Sequence, residues 1–301
     1  MPIKMKSWLT KSGLNSNNIH SDISPKAFEM WNPSIRAEAS DPETTITIYG
    51  VIGEDWWTGE GVTVNRIDAA LRRIGDMPVT VYINSPGGDM FEGIAIYNRL
   101  REHSKDITVK VIGIAASAAS VIAMAGDKRE VAATGFLMIH NCWTCVCGNR
   151  HAMREFANTM EEFDLTMADL YAETSDQPVE DMSRMMDEET YIRGKKCVEL
   201  GLATSLLDSR EVSESDDEES KQTNALKAMD IALAKSGMPR AKRRELFSNF
   251  KPSTPSAAGG VTPGANLSNT PSAVVEPDLS AALGAANSLL ETIKGLKHAN
   301  S

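Results

Sequence analysis

Short β-branched runs separated by helix-length apolar patterns are what most constrain the fold of this chain. Ile46, Ile48 and Val51-Ile52 mark one run, Val79-Thr80-Val81-Tyr82-Ile83 a second, and Ile107 to Ile112 a third. Between the first two, Ile67, Leu71 and Ile74 recur at spacings of four and three, the period of a helix with one apolar stripe over 64–74. Between the second and third, a helix is predicted over 88–100 with Phe91, Ile94 and Leu100 turned inward. A small-residue helix over 117–125, short strands at 131–132 and 136–139, a long helix over 149–174 and a shorter one over 179–186 continue the alternation. Strands joined through helices pair in parallel, because a crossover brings the chain back to the end it started from. The expectation is an α/β domain over 41–208.

The flanks read differently. Residues 1–40 are polar without clear periodicity and are expected to be a flexible arm. After Leu207 the stretch Ser209 to Lys221 is rich in Ser, Asp and Glu, too polar to bury a core, and reads as a solvated linker. A helical pattern over 224–250 is interrupted at Ser236-Gly237-Met238-Pro239 and carries the basic cluster Arg240, Lys242, Arg243 and Arg244. Lys251 to Pro277 is rich in Pro, Ser, Gly and Ala and is expected to be disordered. A short amphipathic helix is expected over 278–297, with Leu279, Leu283, Leu290 and Ile293 on one side. The whole of 209–301 is thus expected to be a largely disordered extension.

A net charge of −10 argues against a nucleic-acid surface spread over the chain. No run of about 18 apolar residues occurs, so no transmembrane helix is expected. The opening Met1-Pro2-Ile3-Lys4-Met5-Lys6 has no apolar stretch behind it, so a secretory signal is not expected and the protein reads as intracellular. The 4 cysteines, three of them bunched at Cys142, Cys145 and Cys147, do not resemble a secreted disulfide framework. With His140 and His151 they invite a zinc reading, but the spacing is cramped and Cys197 stands alone, so neither a metal nor another cofactor is expected. No Gly-x-x-x-x-Gly-Lys-Ser/Thr loop is present, so no ATPase of that type is expected in the chain.

Three pieces of sequence carry chemistry. Ile83-Asn84-Ser85-Pro86-Gly87-Gly88 ends a strand, Gly113-Ile114-Ala115-Ala116-Ser117-Ala118-Ala119-Ser120 turns a strand into a helix, and Met138-Ile139-His140 ends another strand. Glycines leave backbone N–H groups open to an oxyanion, a serine at a helix start gains from the positive end of the dipole, and a histidine supplies the base that makes it a nucleophile. Each piece also has a plainer reading: Ser117 as the N-cap of a packing helix, the Pro-Gly pair as a turn, His140 as a structural residue. Ser120 is a rival hydroxyl, one turn on, expected to face packed atoms.

Together these motifs resemble the ClpP family of serine proteases. The resemblance runs over roughly 45–207 and continues through Tyr191-Ile192 and Val198-Glu199-Leu200-Gly201-Leu202-Ala203. Pro33-Ser34-Ile35-Arg36-Ala37-Glu38-Ala39, Ile52-Gly53-Glu54-Asp55-Trp56-Trp57 and Ile139-His140-Asn141 bring the chain closer to the ClpP-related head maturation (prohead) proteases of tailed phages. The resemblance implies a ClpP/crotonase-like fold of repeated β-β-α units, with Ser117 as nucleophile and His140 as general base. It implies Gly87 and Ala118 as oxyanion donors, and puts Glu189 where the family has an aspartate, with Asp187 as fallback. It further implies an ATP-independent endopeptidase that assembles into a homo-oligomeric ring, with self-cleavage among its expected reactions. It would act in the host cytoplasm, within the phage procapsid, on scaffold segments and capsid-protein extensions, without membrane or nucleic-acid partners. Two rivals stand beside it. One is a crotonase-type acyl-CoA enzyme, which uses no serine nucleophile; the other is an inactive protease-fold scaffold or assembly protein.

Overall fold

The computed structural model describes residues 20–21, 23–37, 41–53, 61–145, 148–208, 213–214, 218–235 and 238–248. The chain divides into two units, 1–252 and 253–301. The second unit, with the helix expected over 278–297, lies outside the described residues, as does most of the acidic linker.

In chain order, β1 (His20–Ser21), α1 (Pro25–Met30) and β2 (Ile35–Arg36) precede the expected alternation. That alternation is β3 (Thr45–Tyr49), α2 (Val64–Ile74), β4 (Val79–Ser85), α3 (Met90–Arg101), β5 (Ile107–Ala116), α4 (Ala118–Ala123) and β6 (Lys128–Ala132). It is followed by β7 (Phe136–Ile139), β8 (Thr144–Cys145), α5 (Arg150–Ser175), α6 (Val179–Asp187), β9 (Thr190–Arg193), α7 (Gly194–Glu199) and β10 (Ser205–Leu207). Then come β11 (Ser213–Glu214), α8 (Glu218–Lys235) and α9 (Arg240–Ser248). The break between α8 and α9 falls at the Ser-Gly-Met-Pro interruption, where proline removes a donor and fixes φ.

Strands β10, β6, β5, β4 and β3 lie side by side in that order, all parallel. This is the mixed α/β architecture with a parallel sheet that the alternation predicts. β5 is long enough to serve two neighbours. Its first half, Thr108–Val111, pairs with β6, and its end, Ile114–Ala116, pairs with Phe136–Met138 of β7. β9 then runs antiparallel to β7, with Ile139 opposite Thr190. The ends of β5 and β7 and the start of β9 are therefore brought together, and the residues just beyond those ends are Ser117, His140 and Glu189.

Burial follows from the helix period. α2 buries Ile67, Leu71 and Ile74 against the sheet, as its spacing requires. α3 departs from expectation at one position: Leu100 is buried and Ile94 packs against the core as expected, beside the buried Gly93 and Ile96, while Phe91 is exposed and packs edge-on against Phe163 at 5.4 Å. The inward stripe is set by Gly93, which lets α3 approach α4; a Cβ there would stand 2.9 Å from that of Ala118.

Residues 23–37, expected to belong to a flexible arm, are folded. Ser24 caps α1 and Pro25 opens it, a pairing that needs no long apolar pattern. Ala27, Phe28 and Trp31 are buried in a cluster with Ile114, Ala116 and Met138 of the sheet and Leu233 and Phe247 of α8 and α9. The fully buried Asn84 fastens the segment: its Nδ2 donates to the carbonyls of Asn32 (2.7 Å) and Ile35 (3.0 Å). In return the Trp31 indole Nε1 donates to the Asn84 carbonyl at 3.1 Å. Replacing Trp31 by alanine leaves a cavity and removes the indole hydrogen bond, and is expected to cost about 3–5 kcal/mol. The check is the urea midpoint of the full chain, which an unpacked arm would leave unchanged.

Candidate active site

The first functional side chain is placed by a sharp elbow. Ser117 N donates to the Met138 carbonyl at 2.9 Å, as a continuation of the β5–β7 ladder, and the chain then turns directly into α4. Ser117 takes φ 55 and ψ −124, a conformation that L-residues avoid and that persists where the surroundings enforce it. Gly87 makes room for it: a Cβ on Gly87, itself at φ +91, would lie 2.6 Å from the Ala116 carbonyl and 2.8 Å from Ser117 Cβ.

The elbow is braced from behind by Ser120. Its Oγ donates to the Ser117 carbonyl at 2.6 Å and shares a 2.8 Å hydrogen bond with the Tyr171 hydroxyl of α5. Ser120 is fully buried, so it faces packed atoms as expected. Tyr171 has no expectation attached to it from the sequence, where it is one more apolar position in a long helix.

His140 leaves the end of β7 and its Nε2 stands 2.8 Å from Ser117 Oγ. With Nε2 accepting from the hydroxyl, Nδ1 carries the ring proton. Burial lowers the His140 pKa below its ordinary value, and the charge of Glu189 opposes that shift. A neutral imidazole at pH 7 is the form that accepts a proton.

Of the two candidate acids, Glu189 is the one whose charge reaches His140. It sits at φ 48, the second strained non-glycine residue of this corner. Its Oε1 accepts from Ser24 Oγ at 2.8 Å and from the Tyr191 hydroxyl at 3.3 Å. Burial pushes the Tyr191 phenol up to about 12, so it stays a donor near neutrality. Among the described hydrogen bonds none joins His140 to Glu189; their coupling is electrostatic. Asp187 is exposed and accepts from Asn141 Nδ2 at 2.7 Å instead.

The expected oxyanion donors separate. Ala118 is the first residue of α4, where an N–H has no intrahelical acceptor. The Gly87 N–H, by contrast, donates to Ser85 Oγ at 3.1 Å, a local turn in which serine bonds the backbone two residues on. Gly87 touches the elbow, but its N–H, expected to face an oxyanion, is engaged by Ser85.

A pocket of about 550 Å³ opens between α5 and α6, lined in part by Asn141, Cys142, Trp143, Phe156, Met160 and Met186. It begins one residue after His140 and is mainly apolar. Cys142 N donates to Asp164 Oδ1 at 2.6 Å, tying the segment after His140 to α5. Burial raises the Cys142 thiol well above its usual range, so it is a neutral lining group. Among the described residues no His, Cys, Asp or Glu group is arranged to hold a metal, and no helix is long and apolar enough to cross a membrane.

A serine hydroxyl on a strained strand-to-helix elbow, hydrogen-bonded to an imidazole, is the arrangement of serine–histidine hydrolases built on α/β sheets. Residues 69–210 match the family model described as Clp protease. A relative from Deinococcus radiodurans, an "ATP-dependent Clp protease proteolytic subunit", is 29% identical over 135 residues, 44% of this chain and 66% of the relative. The chain thus spans just under two thirds of that relative's length. A solved structure of a ClpP1 point mutant from Listeria monocytogenes overlaps with a TM-score of 0.48 at 22% identity, covering 56% of this chain and 93% of that one.

The electrostatics of His140 give a measurable expectation. Its folded pKa lies below that of the unfolded chain, so the unfolded state binds the extra proton first as pH falls. The stability contributed by the neutral ring is present above the ordinary imidazole value of about 6.5 and is lost as pH falls from there through the lower folded value. An NMR titration of the His140 ring is expected to give a midpoint below about 6.5. Glu189→Gln removes the opposing charge and moves the midpoint lower still. A midpoint unchanged by Glu189→Gln would separate the two residues.

Proposed function

We propose that this protein is a serine endopeptidase in which Ser117 attacks a peptide carbonyl and His140 takes the hydroxyl proton and returns it to the leaving amine. The observation that carries this reading is the 2.8 Å contact between His140 Nε2 and Ser117 Oγ at a strained elbow. Glu189 stabilises the imidazolium that forms, with one methylene more reach than an aspartate. The Ala118 N–H and the Gly87-Gly88 turn flank the place where the oxyanion develops. Water then hydrolyses the acyl-enzyme. The apolar pocket beyond His140 suits a large apolar substrate side chain, whose burial there contributes about 1.5–3 kcal/mol.

The substrates we propose are scaffold segments and capsid-protein extensions inside an immature phage head, cleaved without ATP, together with the enzyme's own extension. This finer reading is supported by the resemblance of Pro33 to Ala39, of Ile52 to Trp57 and of Ile139-His140-Asn141 to the phage head maturation proteases. Assembly into a ring agrees with the family and with the exposed apolar side chains of Trp143, Met153 and Leu165. Sedimentation of the full chain is expected to give a multi-subunit species, and a monomer at micromolar concentration counts against the ring.

One observation favours a second reading, an inactive protease domain used in assembly: the Gly87 N–H is held by Ser85 rather than left open. Fluorophosphonate labelling read by intact mass decides between them. Wild type and Ser120→Ala are expected to take the label at one site. Ser117→Ala is expected to lose labelling altogether and to cut peptides at least roughly 10⁴-fold more slowly. No label on wild type supports the scaffold.

A further inference from the structure

The segment that completes the acid's surroundings comes from outside the residues matched by the family. We propose that Ser24 is a positioning residue for Glu189, holding the carboxylate so that its second oxygen is left for the His140 ring. This rests on the serine endopeptidase reading above and deepens it.

The argument begins with the oxygens. Both described donors to Glu189, Ser24 Oγ at 2.8 Å and the Tyr191 hydroxyl at 3.3 Å, act on Oε1. A carboxylate anchored through one oxygen loses torsional freedom, and both described donors leave Oε2 as an acceptor. Glutamate carries one torsion more than aspartate, so an acid of this length has more orientational freedom to lose. A buried hydroxyl donor removes that freedom where water would not.

Ser24 is itself well placed to do this. It is 6% exposed, so its hydroxyl does not exchange partners with solvent. As N-cap it is fixed at the start of α1, whose Ala27, Phe28 and Trp31 are packed between the sheet and the two C-terminal helices. Lys227 Nζ of α8 donates to the Glu29 carbonyl at 3.2 Å and to the Trp31 carbonyl, which closes the far end of α1. The helix that presents the hydroxyl is therefore held at both ends. The charged groups at this corner are Glu189, Asp187 (engaged by Asn141) and Lys26, whose ammonium lies 4.5 Å over the Tyr191 ring.

The experiment follows the His140 ring by NMR on the full chain, assigned with His140→Gln. The variants are Ser24→Ala, Ser24→Thr, Glu189→Gln and the Ser24→Ala/Glu189→Gln pair. Ser24→Ala is expected to lower the His140 midpoint in the same direction as Glu189→Gln. Ser24→Thr, which keeps both cap and hydroxyl, is expected to restore it, and the double variant to match Glu189→Gln alone. A His140 midpoint unmoved by Ser24→Ala, or a double variant in which the two shifts simply add, overturns the proposal. So does a Glu189→Gln variant that leaves His140 unmoved. The rate of fluorophosphonate labelling at pH 7 is expected to fall roughly tenfold in Ser24→Ala, well short of the ~10⁴ that a disabled triad member costs in serine proteases. The titration reads Ser24 and Glu189 whether or not the enzyme turns over, whereas absent wild-type labelling strikes only the peptidase reading.

Discussion

Steric crowding at the Ser117 elbow is the constraint on which the rest of the site depends. A strand that ends in a residue at φ 55 and passes at once into a helix has to be enclosed by atoms that take little space. Ala115, Ala116, Ala118 and Ala119 are all buried around it, and Gly87 and Gly93 sit where any side chain would collide with the elbow or with Ala118. The run of tiny residues is therefore not filler. It lets three layers of backbone come close enough to aim one hydroxyl at one imidazole. The strain is offset by the bonds that the elbow's carbonyl and amide make with Ser120, Val121 and Met138.

The second constraint is a balance of charge and burial. A histidine inside a sheet edge loses its proton more readily than one in water, and a carboxylate nearby gives some of that basicity back. Burial alone would make His140 a weak base; Glu189 alone, in water, would act through a high dielectric and do little. Placing both in one partly buried corner keeps the ring neutral at rest with an opposing charge beside it. Asp187, close in sequence, faces solvent and accepts from Asn141 instead.

Much of this was legible in the residues. The helix over 64–74, the parallel strands and the approach of Ser117 to His140 follow from periodicity, from small residues at a strand end and from motif order. What was not legible has a physical reason in each case. Phe91 is large and apolar, and periodicity places it inward; only the close contact between Gly93 and Ala118 shows that the helix turns a different face. Residues 1–40 hold too few apolar positions to display a period, yet Ser24-Pro25 followed by Phe28 and Trp31 is a helix start with two anchors, and that signal is short rather than absent. Tyr171 and Asn84 act through a hydroxyl and an amide that find partners far away in sequence, and no local pattern announces such contacts. The Ser85–Gly87 bond depends on a rotamer, which sequence does not specify.

The cluster that joins Phe28 and Trp31 to Leu233 and Phe247 has a consequence for biosynthesis. A ribosome releases the chain from its first residue onward, so α1 emerges early and its covering helices late. Until Phe247 has cleared the exit tunnel, α1 meets only the sheet side of its berth and keeps part of its apolar face in water. The hydroxyl that donates to Glu189 therefore sits at the start of a helix whose covering residues come from both ends of the folded unit.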